Sequence, residues 1–241
     1  MIFPKHVHLV FTLLLLGFAS AHGQDTQIEN ETYAYKDPDP NGTGKVYMGR
    51  EIAQVMSFQG KAWLERDSRP KEENTQLAID NLPIKQNSVV ADIGAGTGYY
   101  TFRIAPKVPK GKVYAVEIQE EAIEYLKNRA TELQLKQVEP IQGGEKSPNL
   151  PEGSVDLALM VDVYHELLYP QEMLGEIRRS LKPEGKLLLI EYRGEDPKVG
   201  IKKLHKMTVE QIKKELSANG FHLVQNGQFM NIQHFLVFEK D

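Results

Sequence analysis

Not one of the 241 residues is a cysteine. That absence excludes disulfides, thiolate nucleophiles and cysteine-ligated zinc. An excess of positive charge is missing too. The 29 lysines and arginines stand against 33 aspartates and glutamates, a formal net charge of −4, whereas a broad nucleic-acid footprint needs a basic balance. The N-terminal apolar run Leu9–Ala19 is too short to span a bilayer comfortably. Lys5 precedes it and Ala19-Ser20-Ala21 follows, the pattern of a cleaved secretory leader. With no cysteine behind it, a lipoprotein anchor is unavailable. Residues 1–21 are therefore expected to be a signal peptide, and the mature protein to be exported (periplasmic or secreted), without a stable membrane span after cleavage; an uncleaved segment would instead leave it membrane-associated.

The remaining composition, 41% hydrophobic and 26% charged, is that of an ordinary globular domain, and the length suits one of them. Residues 22–48 are polar and carry the turn cluster Asp37-Pro38-Asp39-Pro40-Asn41-Gly42, so a linker or loosely attached arm is expected there. The domain proper is expected over residues 49–241. Ile52, Val55, Met56, Leu77, Ile79 and Leu82 supply apolar faces for one or two helices ahead of the main sheet. Short apolar runs then occur at Ser88–Ile93, Lys112–Ile118, Val138–Ile141, Val155–Val161 and Lys186–Glu191. Helical patterns separate them at Tyr99–Lys107, Glu120–Leu135 and Pro170–Leu181. Strands that are apolar nearly throughout, alternating with helices, predict a parallel sheet covered on both faces. A last helix, Val209–Asn219, stops at Gly220, and strands follow at Phe221–Gln225 and His234–Glu239.

The densest information lies in Val89-Val90-Ala91-Asp92-Ile93-Gly94-Ala95-Gly96-Thr97-Gly98-Tyr99. A buried strand ends near an acid, and three glycines at alternate positions lead into a helix. Glycines there let the chain turn sharply and a ligand approach the main chain closely, while amides at the helix start favour polar or anionic groups. A dinucleotide fingerprint needs a third glycine where Tyr99 stands; here that glycine comes one residue early, at Gly98. The next strand ends at Glu117-Ile118. A carboxylate at that point can accept hydrogen bonds from both hydroxyls of a ribose, although an acid about 20 residues past the glycines also suits nicotinamide cofactors. The plain alternatives are a glycine turn ordered by Asp92 and a helix-start charge at Glu117.

The pattern Asp92-x-Gly94-x-Gly96-x-Gly98 resembles motif I of the class I S-adenosylmethionine (SAM)-dependent methyltransferases. The similarity runs from about residue 75 to the end of the chain and includes the turn Leu181-Lys182-Pro183-Glu184-Gly185, where the family commonly has a second glycine in place of Glu184. The resemblance implies an α/β fold, a doubly wound, mostly parallel seven-stranded sheet whose last strand is antiparallel. It implies SAM as cofactor, held by Asp92, Gly94, Ala95, Gly96, Gly98, Glu117 and Ile118. Glu145, after Gly143-Gly144, would lie by the adenine, and Asp162, in the family-like stretch Asp162-Val163-Tyr164-His165, by the sulfonium and substrate.

Methyl transfer from a sulfonium needs mainly alignment of the acceptor, with a general base where the acceptor is an acid. His165 is the first candidate for that base; a structural histidine is the plain alternative. Arg66, Glu191, Tyr192, Arg193, His205 and His234 are candidate substrate residues on loops expected to converge over the cofactor. The arginines could grip an acidic acceptor, or merely form surface ion pairs. His165, His205, His234 and Glu191 carry metal-capable side chains, but at long separations, and no metal site is assigned. The expected activity is methyl transfer to a small-molecule acceptor, without nucleic acid as partner. The alternative is a non-catalytic exported protein that binds SAM or a metal.

Overall fold

The computed structural model describes residue 1 and residues 32–241. The expected leader over residues 1–21, and the first part of the expected arm, fall on residues outside that range. Among the described residues no helix is long and apolar enough to cross a membrane.

Residues 32–48 do not form a linker. Strands β1 (Tyr33–Tyr35), β2 (Gly42–Tyr47) and β3 (Arg50–Ala53) make a three-stranded antiparallel sheet. The Asp37–Gly42 cluster is the turn between its first two strands. The helical expectation near residue 49 fails for the same reason: Tyr47 pairs with Arg50 across Met48-Gly49, both at positive φ, which is the backbone of a tight hairpin. Side chains fix this sheet to the rest of the chain. The Lys45 ammonium lies between the rings of Tyr33 and Tyr169, 3.9 and 3.4 Å from their centroids. Arg50 donates to both carboxylate oxygens of buried Glu215, at 2.8 and 2.9 Å.

Three short helices follow, α1 (Lys61–Leu64), α2 (Arg69–Glu73) and α3 (Thr75–Asp80), the first preceded by a 3-10 turn at Phe58–Gly60. The main sheet then alternates as expected. Its elements are β4 (Val89–Ile93), α4 (Thr101–Ile104), β5 (Lys112–Glu117), α5 (Glu120–Glu132), β6 (Val138–Gln142), β7 (Val155–Val161), α6 (Pro170–Ser180) and β8 (Leu181–Tyr192). The chain ends with α7 (Val209–Ser217), β9 (Phe221–Gly227) and β10 (Gln233–Lys240). The sheet order is β6-β5-β4-β7-β8-β10-β9, with β10 antiparallel to both neighbours. The Leu181–Gly185 turn joins β8 as an irregular lead-in, since the partner of Val155 is Leu181 but that of Leu157 is Lys186.

Period-two alternation fills both faces. Val90, Leu157, Leu159, Leu188, Ile190 and Phe235 pack on one side with Ile104 of α4 and Leu126 of α5. Ala91, Ala158, Met160, Leu187, Leu189 and Leu236 pack on the other with Ile177 of α6 and Ile212 of α7. The result is a doubly wound sheet whose parallel strands point their carboxyl ends at one edge, where ligands of such folds lie.

Candidate active site

Along that edge runs a cavity of about 720 Å³, within the range of roughly 300–1,000 Å³ usual for small-ligand sites. One end is built by the loop after β4 and the tip of β5. The amides of Gly94 and Ala95 donate to the Val116 carbonyl at 2.9 and 3.0 Å, folding the loop back over β5. Gly94 sits at φ +74, and a Cβ there would fall 2.6 Å from Val163, so the turn has no room for another residue. Glu117 accepts from the amides of Gly96 (3.0 Å), Ile118 (2.7 Å) and Gln119 (3.2 Å). Gly94, Gly96, Glu117, Ile118, Glu145 and Asp162 all line the cavity.

Three expected cofactor residues do not. Asp92 is buried beneath the loop, where it accepts a hydrogen bond of 2.6 Å from the Thr101 hydroxyl. Burial, and secondarily the charge of Glu117, push its carboxyl up to about 6 against that hydrogen bond. Ala95 packs into the core. Gly98 is filled in by Phe102 and Leu126, which a Cβ would strike at 2.3 and 2.8 Å. These residues shape the loop rather than face a ligand.

A roof comes from the N-terminal segment. Gln119 receives the Phe58 amide at 2.7 Å and donates to the Met56 carbonyl at 3.1 Å, which draws Met56, Phe58, Trp63 and Leu64 over the opening. Beside them lies a charged wall missed in the sequence. Glu73, wholly buried, binds Arg69 at 2.8 Å, Arg66 at 2.7 Å and the Tyr192 hydroxyl at 2.8 Å. The i,i+4 spacing of Arg69 and Glu73 was its one sequence signal. Arg66 and Tyr192 thus line the cavity as expected, but with their polar atoms engaged by Glu73. Asp162 keeps one buried carboxylate oxygen without a donor. Its carboxyl lies well above the usual range through burial and the neighbouring charges of Glu73 and Glu191.

The opposite end holds His165, Glu166 and His205. His165 Nδ1 lies 2.7 Å from Glu191 Oε2, and its Nε2 lies 3.2 Å from His205 Nδ1. Burial disfavours the imidazolium, but the carboxylates of Glu191 and Glu166 prevail and raise the ring to about 10. Nδ1 is taken up by Glu191, so Nε2, beside His205 and Glu166, is the ring nitrogen left for a ligand. Glu191 stands behind His165 and does not reach the cavity. Arg193 and His234 lie elsewhere, in a shallow depression with Glu195. His234 Nε2 bonds Glu195 at 2.8 Å, and Arg193 donates to the Met230 carbonyl at 3.0 Å, which turns both from the expected convergence. Glu166 was overlooked beside His165, although the two are adjacent in sequence.

Comparison with known proteins bears on what such a cavity takes. A family described as "Methyltransferase domain" matches residues 84–236. An uncharacterized methyltransferase-like protein of Schizosaccharomyces pombe is 31% identical over 133 residues, 55% of this chain and 49% of the relative. A fibrillarin-like rRNA/tRNA 2′-O-methyltransferase of Thermoplasma acidophilum is 26% identical over 70% of this chain and 71% of its own. Among solved structures, a SAM-dependent methyltransferase from Aquifex aeolicus superposes with a TM-score of 0.72 at 25% identity, over 76% of this chain and 98% of that one. The chain spans about half the length of the first curated relatives it matches.

Proposed function

Because this chain belongs to the class I SAM-dependent methyltransferases, we propose that its cavity binds SAM against the glycine loop and transfers the methyl group to a small-molecule acceptor seated toward His165, Glu166 and His205. When bound, SAM supplies an electrophilic methyl on a sulfonium. The residues present fit it. Glu117 has about four lone-pair sites and spends three on backbone amides, leaving an acceptor for a ribose hydroxyl. Gly94 and Gly96 allow close approach to the main chain, and the donorless oxygen of Asp162 suits a cationic group. The apolar roof of Met56, Phe58, Trp63 and Leu64 excludes water from the reacting centre. What supports a small acceptor most directly is that the glycine loop and the His–Glu–His end share one partly roofed cavity.

Calorimetric titration of the full-length chain with SAM, S-adenosylhomocysteine and NAD, under chelator, tests the cofactor half. Micromolar binding of the two sulfur compounds and none of NAD is expected; binding of NAD alone, or of none, overturns it. The acceptor half is tested by incubating the protein with methyl-labelled SAM and either a small-metabolite extract or total RNA. Label in the small molecules is expected, and label confined to RNA would assign the acceptor to the other class. Export is likewise proposed, from Lys5, the Leu9–Ala19 run and Ala19-Ser20-Ala21. Cell fractionation that finds only cytosolic protein retaining Met1 refutes it.

A further inference from the structure

Three side chains close the polar end of the cavity from two separate segments. His165 and Glu166 lie in the 3-10 turn after β7, and His205 ends the 3-10 turn Lys203–His205. His165 Nε2 is 3.2 Å from His205 Nδ1 and 3.7 Å from Glu166 Oε1, while His205 Nδ1 is 3.3 Å from that same oxygen. The three atoms thus form a nearly equilateral triangle. Nitrogen and oxygen ligands about 2.1 Å from one zinc-class ion stand roughly 3.0–3.4 Å apart, from octahedral to tetrahedral angles. The observed edges need a shift of only a few tenths of an ångström to match. No other such group occurs among the described residues.

We propose that His165, Glu166 and His205 form a binding site for a divalent ion of the zinc class, whose open coordination positions face the cavity and receive a hydroxyl oxygen of the methyl acceptor.

Beyond the triangle, the surroundings are arranged for such a use. Glu191, wholly buried, accepts from His165 Nδ1 at 2.7 Å and from the Tyr164 amide at 2.8 Å. A carboxylate on the far nitrogen of a histidine fixes the ring and aims its second nitrogen, as in carboxylate–histidine–metal arrangements. Arg50 donates to the His165 carbonyl at 3.0 Å and anchors the turn. Glu166 Oε2 receives the Met56 amide at 3.3 Å, leaving Oε1 on the triangle. Two imidazoles and one carboxylate suit zinc, iron(II) and manganese(II). Three protein ligands with open positions mark a catalytic site rather than a structural one. An ion there would acidify the acceptor hydroxyl. Its proton leaves to solvent, the oxygen lone pair forms the new O–CH3 bond, and the electrons of the broken S–CH3 bond stay on sulfur. The acceptor half of this inference rests on the methyl-transfer reading; the metal half does not.

The test uses the full-length, untagged chain freed of metal by chelator and dialysis. Zn²⁺ is titrated by calorimetry and Co²⁺ by visible absorption. One ion per chain with micromolar or tighter affinity, and d–d bands with Co²⁺, are expected. His205→Ala, on a surface turn, and Glu166→Gln, equal in shape, should each weaken Zn²⁺ binding at least tenfold while keeping the far-UV circular dichroism spectrum. His222→Ala, at an exposed pair with Asp241, should change nothing. Absence of stoichiometric binding, or affinity unchanged in both site variants, overturns the site. SAM is titrated separately into the metal-free chain, so a failure of cofactor binding would strike the methyl-transfer reading and leave the zinc result standing.

Discussion

Glu117 and Asp92 are acids near the ends of neighbouring strands, and the fold gives them different work. Glu117 faces the cavity with a lone pair to spare, whereas Asp92 lies under the glycine loop. Glu117→Gln places an amide NH2 against backbone donors and removes acceptor capacity. SAM affinity should fall at least tenfold by calorimetry with the fold intact, and an unchanged affinity would displace the ribose from this strand tip. Asp92→Asn retains an acceptor for Thr101 and should leave SAM affinity within about threefold. Its signature is in stability against pH. Burial raises the folded carboxyl to about 6, against the opposing Thr101 hydrogen bond and Arg69, with Glu117 adding to the rise. An unfolded aspartate titrates near 3.9. The folded state therefore binds the proton more tightly: its gain is complete below about pH 4 and lost as pH rises through about 6, a swing of roughly 3 kcal/mol. Urea unfolding at pH 4.5 and 7.5 should show Asp92→Asn gaining on the parent at the higher pH; a pH-independent difference refutes this. The glycine loop and Glu117 were legible in sequence because strand ends and turns mark them locally. The convergence of His165 with His205 was legible only as one of several expected meetings; that His205 joins and His234 does not depends on the path taken by the chain between β8 and α7.

At the scale of elements, the main sheet could be read because both faces of its strands are buried, leaving almost continuous apolar runs. The N-terminal sheet could not. Its strands are short and polar, and their burial comes from partners distant in sequence: Tyr169 over Lys45 and Glu215 beneath Arg50. Arg50 is the test of that attachment. Its fork binds both oxygens of Glu215, which also receives the Tyr164 hydroxyl at 2.8 Å and Gln211 at 2.7 Å. Removing the cation leaves a buried carboxylate uncompensated, at a cost of about 3–5 kcal/mol. Urea denaturation of Arg50→Ala should register that loss, together with a weakened His165 turn. A change below about 1 kcal/mol would mean that other contacts hold the small sheet in place.

Across the molecule, the cavity has walls from three stretches of chain: the N-terminal roof, the tips of β4 to β7, and the segment around residues 192–205. A ligand held among them ties distant parts together. S-adenosylhomocysteine at 100 times its Kd should raise unfolding free energy by about 2.7 kcal/mol and slow proteolytic cleavage within residues 54–68 at least tenfold. Cleavage there at an unchanged rate would show that this segment is not the ligand's wall. One further consequence concerns biogenesis. β10 pairs with β8 on one side and β9 on the other, so the edge strand β9 has no neighbour until residues 233–240 have been synthesised. The nascent chain must keep β9 unpaired and the apolar flank of β8 uncovered up to that moment. Closure of the sheet is thus a late event, which keeps the polypeptide open to chaperones throughout its elongation.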